Sequence, residues 1–540
     1  MARTPLFRSL NHILSQTISK EPFWANVRLS RRASFQFGGL TGMSAYLNAC
    51  RGTQGDFSQS SAMASGSKLV IVGAGAAGLS AAYYLKKAGV NAQVYEASPR
   101  LGGRIFTQYA FNKEHMFCER GGELINTGHK EIQDLMSEFG LELERLPDDQ
   151  LRKDVQYFEK TWKSEDDLIE AFRPMAKRIA TDAENFVIND EFTMPTFENP
   201  ISNRVKVLDH MSLQTYLDEA TESPKWVREM IRVAYVGEYG LEADQQSAIN
   251  LVTFIGTDLV KGFQMLGDSD ELFRIKGGNS KLIEALGRSV GEPIHFEHSL
   301  KSIALGSAGR LQLLFEARKK KGEGRVLEVL ADHVILAIPF TVLRGIKGIE
   351  SLGMKPRKLQ AIREIGYGTN TKLMLGFTGR YWREKNENFP ANDGNVVSEL
   401  PFQGGWDTSR KQTGNSGIFT NFMGGRRGAT FTPAQAKETL RDLNTLYPGI
   451  GATHDGNIAL QVWSAVETAK GSYICQTPGQ FTTLGGSLNT PEINGRLLFA
   501  GEHTSDVAAG FMNGAVESGL RVATQYLHTQ SAAQPAAKKA

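Results

Sequence analysis

The sequence predicts an α/β fold organised around a Rossmann-like dinucleotide-binding unit, and three observations lead there. The apolar run Leu69-Val70-Ile71-Val72 passes directly into Gly73-Ala74-Gly75-Ala76-Ala77-Gly78. A helical stretch from Leu79 to Ala88 follows and is stopped by Gly89. A second apolar run, Ala92-Gln93-Val94-Tyr95, then ends in Glu96. Strand, glycine-rich turn, helix and strand in this order supply the βαβ context that a lone GxGxxG lacks.

Each position of the unit has a chemical task. Gly73 permits the tight turn, Gly75 lets backbone approach a pyrophosphate, and Gly78 allows helix and strand to pack closely. The amides of Ala76 and Ala77 open the helix, where N–H donors and the positive end of the dipole favour an anion. Glu96, 18 residues beyond Gly78, is placed with Ala97 to accept hydrogen bonds from a ribose diol.

The rest of the composition fits a large globular chain. Its 540 residues allow several domain-sized units, and 41% hydrophobic with 22% charged residues argues against a disordered chain. No run of 18 apolar residues occurs, so no membrane-spanning helix is expected. A net charge of +3 is too small for a nucleic-acid reader. Three cysteines, Cys50, Cys118 and Cys475, build neither a disulfide framework nor a metal spacing, so no metal is expected.

The basic excess sits at the N-terminus. Six of the first 49 residues are Arg or Lys against Glu21 alone, and Ser30-Arg31-Arg32 opens an uncharged stretch that ends in Leu47-Asn48-Ala49-Cys50. This resembles a twin-arginine export signal with a lipoprotein cleavage site, which makes Cys50 a candidate lipid anchor and the mature chain periplasmic or membrane-anchored. A mitochondrial transit peptide and a cytoplasmic chain with a plain tail are the alternatives. Residues 1–50 are thus read as a signal and 51–66, rich in Ser, Gly and Ala, as a flexible tether.

Ser98-Pro99-Arg100-Leu101-Gly102-Gly103-Arg104 follows Glu96 at once, with Gly103 giving a second close backbone approach and Arg104 a cation for phosphate. A nicotinamide enzyme has no general need of this segment. The run from Lys68 to Arg104 resembles the N-terminal signature of the flavin-dependent amine oxidases, the group of monoamine, polyamine and L-amino-acid oxidases. The likeness recurs in order: Glu119-Arg120-Gly121-Gly122-Glu123, Lys276-Gly277-Gly278-Asn279-Ser280, Ala331 to Pro339, Lys372 ten residues before Trp382, Gly471-Ser472-Tyr473, and Ala500-Gly501-Glu502-His503 with Gly510-Phe511-Met512. It spans roughly residues 67–530.

The resemblance implies noncovalent FAD, held by Gly73, Gly75, Ala76, Ala77, Gly78, Glu96, Ala97, Gly103, Arg104, Gly121, Gly122, Glu123, Gly501, Glu502 and Met512. It implies that Lys372 holds a water near flavin N5, and that Tyr473 and Phe511 flank the substrate amine. Ser472 stands where some relatives carry the cysteine that attaches flavin; Cys475 is a fallback for attachment and Cys118 a buried apolar residue. His503 is either a flavin contact or structural.

The implied fold is an FAD-binding domain from residues 67–145, 268–348 and 462–530, interleaved with a sheet-plus-helix substrate domain from 146–267 and 349–461, and a tail after 530. The implied activity is oxidative deamination by hydride transfer from a small amine to flavin N5, with O2 reoxidation to hydrogen peroxide. An L-amino-acid oxidase, a flavin desaturase or dehydrogenase on a non-amine substrate, and a noncatalytic flavoprotein are the alternatives. The arginine of a Met-Arg pair that grips a substrate carboxylate is replaced by Ile125-Asn126-Thr127-Gly128-His129. Tyr235, Glu238 and Tyr239 are candidates for a substrate entrance, Glu131–Phe139 and Asp166–Asn185 for helices, and the basic run from Arg318 for a hairpin tip. The oligomeric state is left open.

Overall fold

The computed structural model describes residues 68–146, 151, 155–253, 270–291, 294–306, 309–317 and 324–533. Residues 1–67, which hold the stretches read as an export signal and a tether, the expected hairpin tip at 318–323 and the last seven residues lie outside them.

The apolar run at the start is β1 (Leu69–Val72), which feeds α1 (Ala76–Lys87) and then β2 (Gln93–Tyr95). Three later strands, β3 (Ile294–His295), β4 (His333–Leu336) and β5 (Leu497–Phe499), complete a parallel sheet in the order β3-β2-β1-β4-β5. All five come from the three segments assigned to the FAD-binding domain. β1 is apolar on both faces because both are covered. Leu69 and Ile71 pack with α1 and with α2 (Met512–Ala533), whereas Val70 and Val72 pack on an antiparallel layer of three strands, His298–Leu305, Leu311–Ala317 and Arg325–Ala331. Tyr95 stacks on Phe315 across that second interface, with ring centroids 4.3 Å apart. α1 and α2 cross closely at Gly519, where a Cβ would stand 2.6 Å from the Ala77 carbonyl.

The second domain is built on a seven-stranded sheet in the order His454–Val462, Thr371–Phe377, Gly417–Met423, Gly404–Asp407, Val396–Ser398, Val155–Phe158, Thr161–Trp162. Thr371–Phe377 is an interior strand, antiparallel to both neighbours and buried along its whole length. Lys372 is therefore not an edge lysine.

Helices fill the remaining core. Ser164 accepts from the Asp167 amide 3.1 Å away and caps Glu165–Ala183, close to the predicted 166–185. The first predicted helix is Lys130–Glu138. Tyr235 and Tyr239 do not open onto the site as expected. They sit on one face of the helix Lys225–Tyr239, stack at 5.8 Å and belong to the helical core with Phe172, Met175 and Met230. Their four-residue spacing is the helix period, which serves core packing here.

Candidate active site

The glycines of the first turn fall into two kinds. A Cβ at Gly73 would meet the Ala337 carbonyl at 2.6 Å, and its φ of +103° is itself a glycine conformation. A Cβ at Gly78 would lie 1.9 Å from the Gly73 carbonyl. Both are demanded by the protein's own packing. Gly75 is different: its Cβ would meet nothing nearer than the Gly103 Cα at 3.9 Å, so the space beside it belongs to a ligand. Gly75 is also the N-cap of α1, with no side-chain cap on the following amides.

That space is part of a cavity of about 620 Å³. The turn contributes Gly73, Gly75, Ala76 and Ala77, and the next segment Glu96, Ala97, Gly103 and Arg104. Gly121, Gly122, Glu123 and Lys372 join them, as do Ser472, Tyr473, Gly501, Glu502, Phe511 and Met512. Of the residues expected to bind FAD or flank the amine, Gly78 stays out, in keeping with its packing role.

Two carboxylates organise the turns. Glu96 accepts from the Ala74 amide at 2.7 Å and the Ser98 amide at 2.8 Å, which fixes its side chain in the cavity wall. Glu502 accepts from Arg104 Nη1 at 2.9 Å and from the Gly510 amide at 2.7 Å. The second bond holds the chain entering α2, so the N-terminus of a 22-residue helix points its positive end at the cavity. Arg104, expected to pair with phosphate, is joined here to Glu502 and to the Ser472 carbonyl at 2.6 Å.

Lys372 extends from the substrate sheet to the flavin-domain segment. Its Nζ donates to Glu123 Oε2 and the Gly121 carbonyl, each at 2.8 Å, and to the Glu119 carbonyl at 3.3 Å. Glu123 Oε1 in turn accepts from Trp406 Nε1 at 3.1 Å. The ammonium's three hydrogens thus meet three acceptors. Burial pushes the neighbouring Glu119 carboxyl up to about 7, against the opposing pull of the Asn279 amide and the Thr107 hydroxyl.

Aromatic walls close the amine side. Tyr473 and Phe511 line the cavity as expected, joined by Trp406 and Phe422, whose rings lie 5.4 Å apart. The Tyr473 hydroxyl donates to the Glu238 carbonyl. Phe511 rests edge-on against His129 at 4.8 Å, and burial pushes that imidazole down to about 3, so it stays neutral. Sequence reading missed Trp406, Phe422 and Asn370.

Cys475 is buried among the substrate-domain helices and does not line the cavity, which removes it as an attachment point. Cys118 is buried, and burial raises its thiol pKa. His503 is outside the cavity lining, packed on Phe340 at 4.5 Å. Burial and the nearby Arg104, Lys358 and Arg521 keep it neutral. No group of metal-ligating side chains occurs among the described residues.

A backbone cradle at an uncapped helix start, a ribose-side carboxylate and a second helix aimed at the same cavity fit FAD. Fold and site define an FAD-binding oxidoreductase. The model of the flavin-containing amine oxidoreductase family matches residues 76–527, and the chain belongs to that family. It is an FAD-dependent amine oxidoreductase. Its curated relatives include an L-amino-acid oxidase of Gloydius halys, 25% identical over 484 residues that cover 84% of this chain and 88% of the relative. An L-amino-acid oxidase of Daboia russelii is 26% identical over 488 residues, with the same coverage. Among solved structures, putrescine oxidase bound to putrescine matches with a TM-score of 0.70, 19% identity and coverage of 86% and 99%. Cyclohexylamine oxidase from Brevibacterium oxydans IH-35A matches with the same TM-score and coverage at 20% identity.

The two kinds of glycine separate in one experiment. Gly75→Val is expected to leave the melting temperature of the apoprotein near wild type while abolishing FAD binding. Gly78→Val is expected to lower the melting temperature of the apoprotein itself. Equal melting losses for both would refute the distinction.

Proposed function

We propose that this chain oxidises a primary amine that carries no α-carboxylate, uses O2 as electron acceptor and holds FAD noncovalently. The observation that carries the substrate reading is electrostatic. Each cationic side chain lining the cavity among the described residues is already paired: Lys372 with Glu123, Arg104 with Glu502, and Lys301 with Glu316. An α-carboxylate held by Lys372 or Arg104 would have to break a pair whose glutamate is buried, at the cost of stranding that carboxylate. The relatives named L-amino-acid oxidases favour the other substrate class, so the test must include it.

When bound, FAD supplies the acceptor for a hydride equivalent from the amine α-carbon and passes the electron pair to O2, yielding an imine and hydrogen peroxide. The chain's own residues orient the amine and set its protonation. Burial among Trp406, Phe422, Tyr473 and Phe511 takes water from the nitrogen, which favours the neutral amine, while the ring faces themselves attract a cation. Lys372 and Glu123 neutralise each other, so neither dominates the field at the amine. Ser472 supports noncovalent flavin, since a hydroxyl forms no thioether and Cys475 is elsewhere.

Anaerobic mixing of the holoenzyme with cyclohexylamine, putrescine and L-leucine tests this reading. Bleaching of the flavin by an amine and not by L-leucine is expected, with peroxide formed on readmitting air. Preferential bleaching by L-leucine would transfer the assignment to an amino-acid oxidase.

For Lys372 we propose a part in the oxygen half-reaction. Removing the lysine alone strands a buried carboxylate, a loss of about 3–5 kcal/mol. The informative variant is therefore Lys372→Met with Glu123→Gln. Reoxidation by O2 is expected to slow by about ten- to a hundredfold, with amine-driven reduction changed far less. Stopped-flow measurement of both half-reactions checks this, and an unaltered oxygen step would leave Lys372 structural.

For the leader we propose twin-arginine export with Cys50 as the lipidated residue, supported by Arg31-Arg32, the uncharged stretch after them and Ala49-Cys50. Arg31→Lys with Arg32→Lys is expected to leave unprocessed precursor in the cytoplasm of a bacterial host, and Cys50→Ser to abolish labelling by a radioactive fatty acid. Unchanged fractionation of both would favour a transit peptide or a plain tail.

A further inference from the structure

The C-terminal turn of the helix Lys225–Tyr239 ends beside the cavity, and a helix end leaves carbonyl groups without intrahelical partners. Gly240, at φ +76°, closes the turn with one bond from its amide to the Val236 carbonyl, 2.9 Å away. The carbonyls of Gly237, Glu238 and Gly240 are taken up by Asn370 and Tyr473, which line the cavity, and by Thr369 beside them. Asn370 Nδ2 donates to the Gly237 carbonyl at 2.7 Å, and the Tyr473 hydroxyl donates to the Glu238 carbonyl. Thr369 donates to the Gly240 carbonyl through its amide at 2.9 Å and its hydroxyl at 2.8 Å.

Asn370 carries the arrangement one step further. Because its nitrogen must face the Gly237 carbonyl, its oxygen faces Ser472, whose hydroxyl donates to it at 2.6 Å. Asn370, Ser472 and Tyr473 all line the cavity, and the Asn370 side chain is almost wholly buried. Space around it is minimal: a Cβ at Gly240 would come within 2.1 Å of Asn370 Oδ1, and one at Gly368 within 2.5 Å of Ser472 Oγ. Two adjacent helix carbonyls thus hold two adjacent wall residues, Tyr473 directly and Ser472 through Asn370.

We infer that Asn370 is a positioning residue for amine binding: it ties Ser472, and with it the backbone that carries the Tyr473 ring, to the C-terminus of the substrate-domain helix. The dipole adds a sense to this link. The carbonyl end of the helix is negative, so the Tyr473 hydroxyl proton is drawn toward Glu238 and the phenolic oxygen becomes a better acceptor for an amine N–H. Asn370 acts through its neighbours and does not need to touch the substrate. The kinetic arm of the test rests on the proposed amine reading, and the structural arm does not.

The experiment compares FAD-loaded wild type, Asn370→Ala, Ser472→Ala and the combined variant in anaerobic stopped flow, using whichever of cyclohexylamine and putrescine reduces the wild-type flavin faster. The apparent Kd for the amine is expected to rise about tenfold in each single variant, with the limiting reduction rate changed far less. Because both cuts break one relay, the combined variant is expected to be no worse than the poorer single one. An unchanged Kd with only a lower melting temperature, or losses that add, would overturn the inference. If Asn370→Ala does not fold, Ser472→Ala decides alone on the same Kd criterion. If neither amine reduces the wild type, the amine reading fails separately, and the crystal structure of FAD-loaded Asn370→Ala decides. A Tyr473 ring displaced by about 1 Å supports the relay, and an unmoved ring overturns it.

Discussion

The ion pair between Lys372 and Glu123 is the joint on which the two domains depend for a common site. Lys372 belongs to an interior strand of the substrate sheet, whereas Glu123 follows the Gly121-Gly122 turn of the FAD-binding domain. Both are almost fully buried, and an isolated charge of either sign there would be prohibitive. The lysine also takes the Gly121 carbonyl, so it holds the backbone of the turn as well as the carboxylate. The turn cannot drift, because a Cβ at Gly121 would already collide with the Arg104 carbonyl at 1.8 Å, and Asn279 Nδ2 holds the Glu123 carbonyl from the other side at 2.9 Å. Substrate sheet, flavin turn and the Trp406 wall are therefore fixed by one set of charges and dipoles.

Glu502 performs the corresponding service within the FAD-binding domain. Its carboxylate joins Arg104, from the N-terminal segment, to the Gly510 amide ahead of α2, more than four hundred residues later in the chain. Such long-range joints explain why the domain is assembled from separated segments: the parallel sheet needs crossovers, and the crossovers are where the substrate domain is inserted. A cavity at the junction of inserted and host domains then receives cofactor-binding backbone from one and amine-binding side chains from the other.

What was legible in the sequence was what the backbone itself demands. Gly73 and Gly78 are dictated by contacts of 2.6 and 1.9 Å that no other residue survives, and β1 by burial on both faces, so their pattern can be read locally. Lys372 was legible because a charge in an apolar strand needs a reason. Its partner was not, since Glu123 is 249 positions away and lies in a segment that reads simply as acidic and glycine-rich. The same limit explains Arg104, whose partner Glu502 comes from the far end of the chain, and Tyr235 with Tyr239, where helical spacing reveals a shared face but not what that face meets. Cys475 lies three positions from Ser472, yet its side chain is turned into the helical core. Residues 472 to 475 run through bends and an isolated bridge, where no helix or strand period sets side-chain direction.

The electrostatics of the cavity bear on how one scaffold can serve different substrates. In a low-dielectric enclosure a charge left without a partner is costly, so the cations of the wall are either paired internally or reserved for the substrate. Here Glu123 and Glu502 occupy the two inner cations, and the remaining contribution to the amine side is aromatic surface and carbonyl dipole. Ring faces and carbonyl oxygens present negative potential, so a cavity of that kind admits a neutral or cationic amine and penalises a ligand that must bring an uncompensated carboxylate. On the proposed reading, selection of an amine over an amino acid follows from Glu123 and Glu502 having already claimed the two inner cations, which leaves a substrate carboxylate no partner there.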